Sequence, residues 1–305
     1  MELLSVETLS GLRTTLAAPP AARLDQFRAL VMEPLRPFWG PFLAMPWGAR
    51  AEPQDDPALA AARVFGCYSP EQDSAAGIAA LDRLAEAGSW ASCLAALDRS
   101  WQALSPTAHG VQIPTIRYNL YLSDPAKTDA RMGHYTGGGG RPGLVQVAVW
   151  PTDYNLPRLA AITAHELHHN VRFAYEPFIP QEVTVGQYIV AEGLAEAFAA
   201  ELYGEDALGP VTAMLAPDAR AAILPRFGAA LETRGFDEAR AYIFGDWATK
   251  QSGYPARDIP DFAGYGVGYH VVRAFLTRSG MSAAEATYLS WREIARGSGV
   301  FAPAG

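Results

Sequence analysis

Cysteine is scarce in this chain, which has 305 residues and only two cysteines, Cys67 and Cys93. Two cysteines are too few for a disulfide framework, and they lack the C-x-x-C spacing of a thiolate site, so we interpret both as ordinary buried thiols. The sequence also has no uninterrupted apolar run long enough to span a bilayer. Its first residues lack the basic and apolar segments of a signal peptide. These absences predict a cytoplasmic protein without a membrane span.

An excess of positive charge is missing as well. The chain has 24 lysines and arginines against 32 aspartates and glutamates, a formal net charge of −8. This balance argues against nucleic acid as the main partner. Half of the residues are hydrophobic, so a sizeable core is available. A chain of this length can hold one large domain or two smaller ones.

Histidine is rare too, but three of the six histidines fall in one pentad, H-E-L-H-H at 165–169. On a helix, residues i and i+4 share a face, so His165 and His169 can direct two imidazoles at one metal ion. Glu166 can then reach a water at that ion. The preceding residues are largely apolar, which predicts a buried helix whose polar groups need partners. The alternative is a polar helix face on which histidines cluster without a metal. His168 lies off the shared face and is predicted to lie beside the ligands or partly exposed.

A second helix is predicted to begin after Thr184, which is followed three residues later by a glutamine, and to end at Gly204. Glu192 and Glu196 share one face of it among small residues. We interpret Glu192 as the third ligand of a zinc site, and Glu196 as the acceptor for the second N–H of a ligand histidine. Gly193 is expected to let this helix approach the histidine helix closely. The alternative is two surface carboxylates on an amphipathic helix.

Residues 113–122 and 144–150 have the pattern of strands. We interpret the four glycines at 137–140 as part of a mobile surface connection, or alternatively as a flap near a cleft. Residues 1–108 are predicted to be mostly helical, with a helix pair at 74–87 and 89–104. Further helices are predicted near 266–279 and 282–296.

Three motifs carry a resemblance to a known family: H-E-L-H-H at 165–169, A-E-G-L-A-E at 191–196 and G-Y-G-V-G-Y at 264–269. In this order they resemble the gluzincins, zinc peptidases with a glutamate as third ligand. More narrowly, they resemble the bacterial predicted Zn-dependent proteases called domain of unknown function 2268, over roughly residues 110–300. Glu196 stands where thermolysin-like gluzincins carry an aspartate.

The resemblance implies an α+β, zincin-like metallopeptidase fold, mostly helical, with a small sheet before the histidine helix. We predict a helical N-terminal region at 1–108 and a catalytic domain at 109–305, with the sheet and metal helices at 109–203 and a helical lower part at 204–305. Zincins carry an edge strand shortly before the metal helix that pairs with extended substrate. The strand at 144–150 is in the right order for that role.

The resemblance also implies a zinc metallopeptidase acting on a peptide or protein, with one Zn²⁺ per chain and Glu166 as general base. Tyr265 or Tyr269, with His270 third, are candidates for stabilising the oxyanion. The alternative for the two tyrosines is packing at a glycine-rich helix start. Two other functions stay open: a zinc-stabilised binding or regulatory module without catalysis, and a zinc hydrolase of non-peptide amides.

Overall fold

The protein is mostly helical with one small sheet, as seen in a computed structural model that describes residues 1–43, 56–251 and 256–301. This α+β class agrees with the prediction. The strands are β1 (Glu2–Ser5), β2 (Thr115–Leu122), β3 (Tyr135–Arg141) and β4 (Leu144–Val149). The helices before β2 are α1 (Leu9–Ala17), α2 (Pro20–Phe27), α3 (Arg36–Leu43), α4 (Pro57–Phe65), α5 (Ser74–Glu86) and α6 (Ser89–Leu104). The helices after β4 are α7 (Leu159–Tyr175), α8 (Val185–Tyr203), α9 (Pro210–Ala213), α10 (Pro217–Ala230), α11 (Phe236–Gln251), α12 (Ala263–Ser279), α13 (Ala283–Ala286) and α14 (Trp291–Ser298).

The sheet has the order β1-β2-β4-β3. β1 pairs with β2 and β2 pairs with β4, both in parallel. The strands predicted at 113–122 and 144–150 are therefore confirmed. The expectation that 144–150 is an edge strand is wrong, because among the described residues β4 lies between β2 and β3.

The outer position next to β4 belongs to β3, which contains the four glycines at 137–140. The interpretation of these glycines as a connection between strands is thus wrong, although Gly137 and Gly140 do lie at the surface. Glycine is disfavoured in strands, so local pattern argues against one here, and pairing with a neighbour decides the outcome instead.

Most of the predicted helices are confirmed, and their ends follow from capping residues. The hydroxyl of Thr184 accepts a hydrogen bond from the Gln187 amide at the start of α8, and Gly204 follows its end. The helix predicted at 282–296 is instead two short helices, α13 and α14. Each begins with its own capping box, formed by a serine and a glutamate three residues later, which starts a new helix locally.

The described chain groups into two compact units that alternate along the sequence. The first consists of Met1–Ala95, Pro114–Gly138 and Gly143–Thr163. It contains most of the sheet, with Ile116, Tyr118 and Leu120 of β2 fully buried. The division into a helical N-terminal region at 1–108 and a catalytic domain at 109–305 stays a prediction.

The second unit consists of Ala96–Ile113, Gly139–Pro142 and Ala164–Gly305. Its central element is α8, which is buried along nearly its whole length and packs against α11, α12 and α14. A helix that is apolar on every side belongs in a core, so polar residues on α8 are exceptional. Of the helices in the described ranges, none has both the length and the apolarity needed to cross a membrane.

The backbones of α8 and α12 touch where these helices cross. A Cβ atom on Gly193 would lie 2.2 Å from the Gly268 carbonyl oxygen, and one on Gly268 would lie 2.0 Å from the Ile189 carbonyl oxygen. Any larger residue at either position would force the helices apart. The expectation that Gly193 faces the histidine helix is therefore wrong. The crossing instead brings α12, and with it Tyr265, close to α8.

Candidate metal centre

The pentad lies inside α7, where the i, i+4 spacing places His165 and His169 side by side. The two Nε2 atoms are 3.0 Å apart, and the rings stand nearly perpendicular, at 82°. Both imidazoles thus present the same nitrogen to one point in space, as the sequence predicts.

Glu192 on α8 completes a cluster with the two histidines. Its Oε2 atom lies 3.5 Å from His165 Nε2 and 3.4 Å from His169 Nε2. Ligand atoms bound at about 2.0–2.1 Å in a tetrahedral zinc site lie about 3.3–3.4 Å from one another. The three predicted ligands are therefore brought together at a spacing that a metal ion can bridge. Two imidazole nitrogens and one carboxylate oxygen are also a donor set that suits zinc, with a fourth position left for water.

The electrostatics of this cluster favour a positive charge at its centre. Burial works to raise the pKa of Glu192, but the neighbouring His169 and His165 lower it to about 2. Burial works to lower the pKa of His165, but hydrogen bonding to Glu192 and Glu196 raises it well above its ordinary value. A buried carboxylate whose charged form is favoured so strongly needs a positive charge beside it, which either a protonated histidine or a bound cation supplies.

Glu196 lies one turn beyond Glu192 and contacts the ring nitrogen of His165 that does not face Glu192. Its Oε1 atom is 3.4 Å from His165 Nδ1, and its Oε2 atom accepts a hydrogen bond of 3.0 Å from the Gly209 amide. Both oxygens are thus engaged, so the carboxylate is fixed in direction. Such a partner orients the imidazole and selects its tautomer.

Glu166 is buried beside the cluster. Burial raises the pKa of its carboxyl, against the opposing effects of the two histidines and of a hydrogen bond from the Gly139 amide. A carboxylate with a raised pKa is better suited to accept and return a proton near neutral pH.

Gly139, one of the four glycines for which a flap near a cleft is the alternative interpretation, lies directly against Glu166. A Cβ atom at this position would lie 1.8 Å from the Glu166 carbonyl oxygen, so only glycine permits this approach. Asn170 holds the same segment by donating to the carbonyl oxygens of Gly139 at 3.0 Å and Arg141 at 2.7 Å. The signal in the sequence is the run of four glycines, whose role is close approach rather than mobility.

The three candidates on α12 are in different surroundings. Burial and the charges of Glu192 and Glu166 raise the pKa of Tyr265, the one candidate of the three on which both of these carboxylates act. Tyr269 instead donates a 2.5 Å hydrogen bond to Glu205. The pKa of His270 is lowered by burial and by a nearby arginine, with no contribution from the cluster.

A further tyrosine, Tyr188, also faces the centre and was missed. It lies one turn before Glu192 on α8, and its pKa is raised by burial and by the charges of Glu192 and Glu166. The i, i+4 spacing from Glu192 was the available signal. It is weak, because a tyrosine on a buried helix is usually a packing residue.

His168 lies outside the ligand cluster but is fully buried rather than partly exposed. Its Nε2 atom is 3.0 Å from the Thr287 hydroxyl. Cys67 and Cys93 are buried free thiols, as predicted, and burial raises the pKa of Cys67 to about 12. None of these three residues contributes to the cluster of possible ligands.

The comparisons with known proteins agree with the motifs. The family described as "Predicted Zn-dependent protease (DUF2268)" matches residues 90–296. The uncharacterized protein YjfC of Bacillus subtilis (strain 168) is 34% identical over 301 residues, which cover 99% of each chain. No solved structure matches this chain, so the zincin-like fold stays a prediction. With two thirds of its length matched and all three motifs in order, the chain belongs to the family of predicted Zn-dependent proteases, DUF2268.

Proposed function

We propose that this protein is a zinc-dependent metallopeptidase that hydrolyses peptide bonds. The observation that carries the proposal is the convergence of His165 Nε2, His169 Nε2 and Glu192 Oε2 within 3.0–3.5 Å of one another. The family description, a predicted Zn-dependent protease, supports the same function. We infer that these three side chains hold one zinc ion per chain.

A zinc ion in such a site supplies a Lewis acid that polarises the scissile carbonyl and makes a water molecule more acidic. The protein's own contribution starts with Glu166. Its buried carboxylate accepts the proton that water loses as its oxygen attacks the carbonyl carbon. When the C–N bond breaks, Glu166 returns that proton to the leaving amine. Water is thereby divided between the new carboxyl and amino ends.

The remaining residues orient the ligands and stabilise developing charge. Glu196, fixed by the Gly209 amide, holds His165 in one tautomer. Tyr265 is our candidate donor to the oxyanion, because the charges of Glu192 and Glu166 act on it and its hydroxyl stays protonated at neutral pH. The hydrogen bond from Tyr269 to Glu205 argues for a structural role for Tyr269.

The test combines metal analysis with cleavage mapping. Purified wild type and Glu166→Gln are assayed for bound zinc and then incubated with a broad peptide library. We expect about one zinc per chain in both proteins. Loss of the general base should lower cleavage by about 10²- to 10⁴-fold. The matched control is Glu182→Gln, an exposed glutamate outside the cluster, which should cleave like wild type.

Other results of the zinc and cleavage assays would favour one of the alternative functions. Zinc without cleavage, together with a melting temperature that falls strongly with chelator, would indicate a zinc-stabilised binding module. Cleavage only of non-peptide amides would change the substrate class. If no zinc is bound and Glu192→Ala folds and behaves like wild type, the ligand assignment is wrong.

A further inference from the structure

The two histidines of the candidate metal centre differ in the support of their second ring nitrogen. Nδ1 of His165 lies 3.4 Å from the carboxylate of Glu196. Nδ1 of His169 is buried and has no hydrogen-bond partner in the part of the chain that the structure describes. A histidine that binds a metal ion through Nε2 carries the proton of its neutral ring on Nδ1, and usually donates it to a partner that orients the ring. His169 has no such partner among these protein groups.

An aromatic ring contacts His169 instead. Phe173 lies one turn further along α7, where the i, i+4 spacing brings the two side chains together. Their ring centroids are 5.4 Å apart, and their planes differ by only 8°. This is a stacked contact, within the range of about 4.5–7 Å in which aromatic rings attract one another. The plane of the imidazole is therefore parallel to a neighbouring ring that can restrict its rotation.

Phe173 is itself held in place by its surroundings. Its side chain is only 8% exposed, and its ring centroid lies 4.9 Å from that of Phe178. The backbone of β3 is also close, since a Cβ atom on Gly140 would lie 3.9 Å from Cε2 of Phe173. A ring packed between an aromatic neighbour and backbone has little room to change rotamer. Phe173 thus presents a fixed surface to the imidazole.

The orientation of the His169 ring decides where its Nε2 atom points. In the stacked position this atom lies 3.4 Å from Glu192 Oε2 and 3.0 Å from His165 Nε2. An imidazole free to rotate would have to be ordered when a metal ion binds, and that ordering weakens binding. A ring already held in the required plane avoids this loss.

We propose that Phe173 is a positioning residue for His169. By ring stacking it orients one metal ligand, as Glu196 orients the other by its carboxylate. The proposal rests on the metal site of the function proposed above. It adds a residue outside the ligand set that influences how tightly, and in which geometry, a metal ion is held.

The experiment measures metal binding to the metal-free protein, so it does not depend on peptide cleavage. Zn²⁺ and Co²⁺ are titrated into wild type, Phe173→Leu and Phe173→Tyr, and the visible absorption of bound Co²⁺ reports the ligand geometry. In Phe173→Leu the Kd for zinc should rise about two- to tenfold, the equivalent of one aromatic contact, and the Co²⁺ bands should shift. Phe173→Tyr keeps the ring and should restore the wild-type Kd and spectrum.

The matched control is Phe198→Leu. Phe198 is a buried ring that packs on His168, 5.6 Å between centroids, and His168 is not one of the three candidate ligands. This variant should melt at a lower temperature but keep the wild-type Kd and Co²⁺ spectrum. The same change of spectrum in Phe198→Leu and Phe173→Leu would show a general loss of packing and overturn the positioning role.

The remaining outcomes separate this proposal from the proposed function. A wild-type Kd and spectrum in Phe173→Leu would overturn the role of Phe173 while the metal centre stands. So would a Phe173→Tyr variant as impaired as Phe173→Leu. If wild type binds neither ion, the proposed function fails first and the role of Phe173 falls with it. Circular dichroism checks folding, and if Phe173→Leu does not fold, Phe173→Met replaces it with the same expected shift.

Discussion

The buried polar side chains on two faces of the same helix, α7, differ in the partners that they contact. On one face, His165, Glu166 and His169 point towards one another and towards α8. On the other face, His168 and Arg172 each have a protein partner. His168 meets the Thr287 hydroxyl, and Arg172 donates to the Thr287 and Leu289 carbonyl oxygens.

The difference shows how a structural polar cluster can be told from a functional one. The partners of His168 Nε2 and of Arg172 join α7 to the segment that follows α13. The side chains of the other face offer mainly lone pairs and negative charge, which pair with one another only when the histidines carry extra protons. A cation at their centre can bind all three without those protons, which is why we propose a function for that face and a stabilising role for the other.

The largest effect should follow from removing a ligand. Glu192→Ala should weaken zinc binding by more than the roughly 10- to 100-fold cost of losing an outer partner. The wild type should melt at a higher temperature when zinc is added, because a ligand at about 100 times its Kd stabilises the folded state by about 2.7 kcal/mol. In Glu192→Ala this zinc-dependent rise should disappear, as measured by thermal unfolding with and without zinc. If zinc raised the melting temperature of Glu192→Ala as much as that of wild type, the assignment of a metal site to this face of α7 would be wrong.

A substitution on the other face should change stability without changing metal binding. Arg172→Met removes a buried cation that pairs with Glu176 and donates to two carbonyl groups, so we expect a loss of about 3 kcal/mol of unfolding free energy. The rise in melting temperature on adding zinc should persist from a lower starting value. The control is Arg292→Met, which breaks an exposed pair with Glu232 and should cost less than about 1 kcal/mol. If zinc no longer raised the melting temperature of Arg172→Met, the two faces of α7 could not be assigned separate roles.

Glu196→Gln should lower zinc affinity by about 10- to 100-fold while leaving the three ligands in place. It should also shift the pH dependence of binding. Zinc needs neutral His165, whose pKa in the metal-free protein is raised by Glu192 and Glu196, so protons compete with zinc as the pH falls through that raised value. Removing one carboxylate lowers the pKa, and the pH at which affinity falls off should move down. Competition with a chelator across a pH series measures both effects, and an unshifted profile would remove Glu196 from its assigned role.

The smallest effect is expected at His168, although it lies inside the pentad. His168→Phe should cost about 1 kcal/mol or less, because the Thr287 hydroxyl keeps its hydrogen bond to the Ala283 carbonyl oxygen. Zinc content should equal that of wild type. If this variant held less than one zinc per chain, His168 would contribute to metal binding and would belong to the face that carries His165 and His169.

Much of the candidate site could be predicted because it depends on spacing within single helices. His165 with His169, and Glu192 with Glu196, are i, i+4 pairs, so each pair lies on one face wherever its helix packs. The capping residue Thr184 likewise located the start of α8. What failed was orientation between elements. Gly193 faces α12 rather than α7, and the β3 glycines lie at the edge of a sheet, because both outcomes depend on partners far away in sequence.

By itself the sequence determined the composition of the candidate site: a helix with two histidines one turn apart and a glutamate beside them, and a second helix with two glutamates one turn apart. Local periodicity is sufficient for that, since a helix places its side chains by geometry alone. Only the tertiary structure decided that Tyr269 donates to Glu205, that Gly139 lies against Glu166, and that His168 is buried against Thr287. Each of these depends on close contact between distant segments, which steric fit and the pairing of buried polar groups settle together.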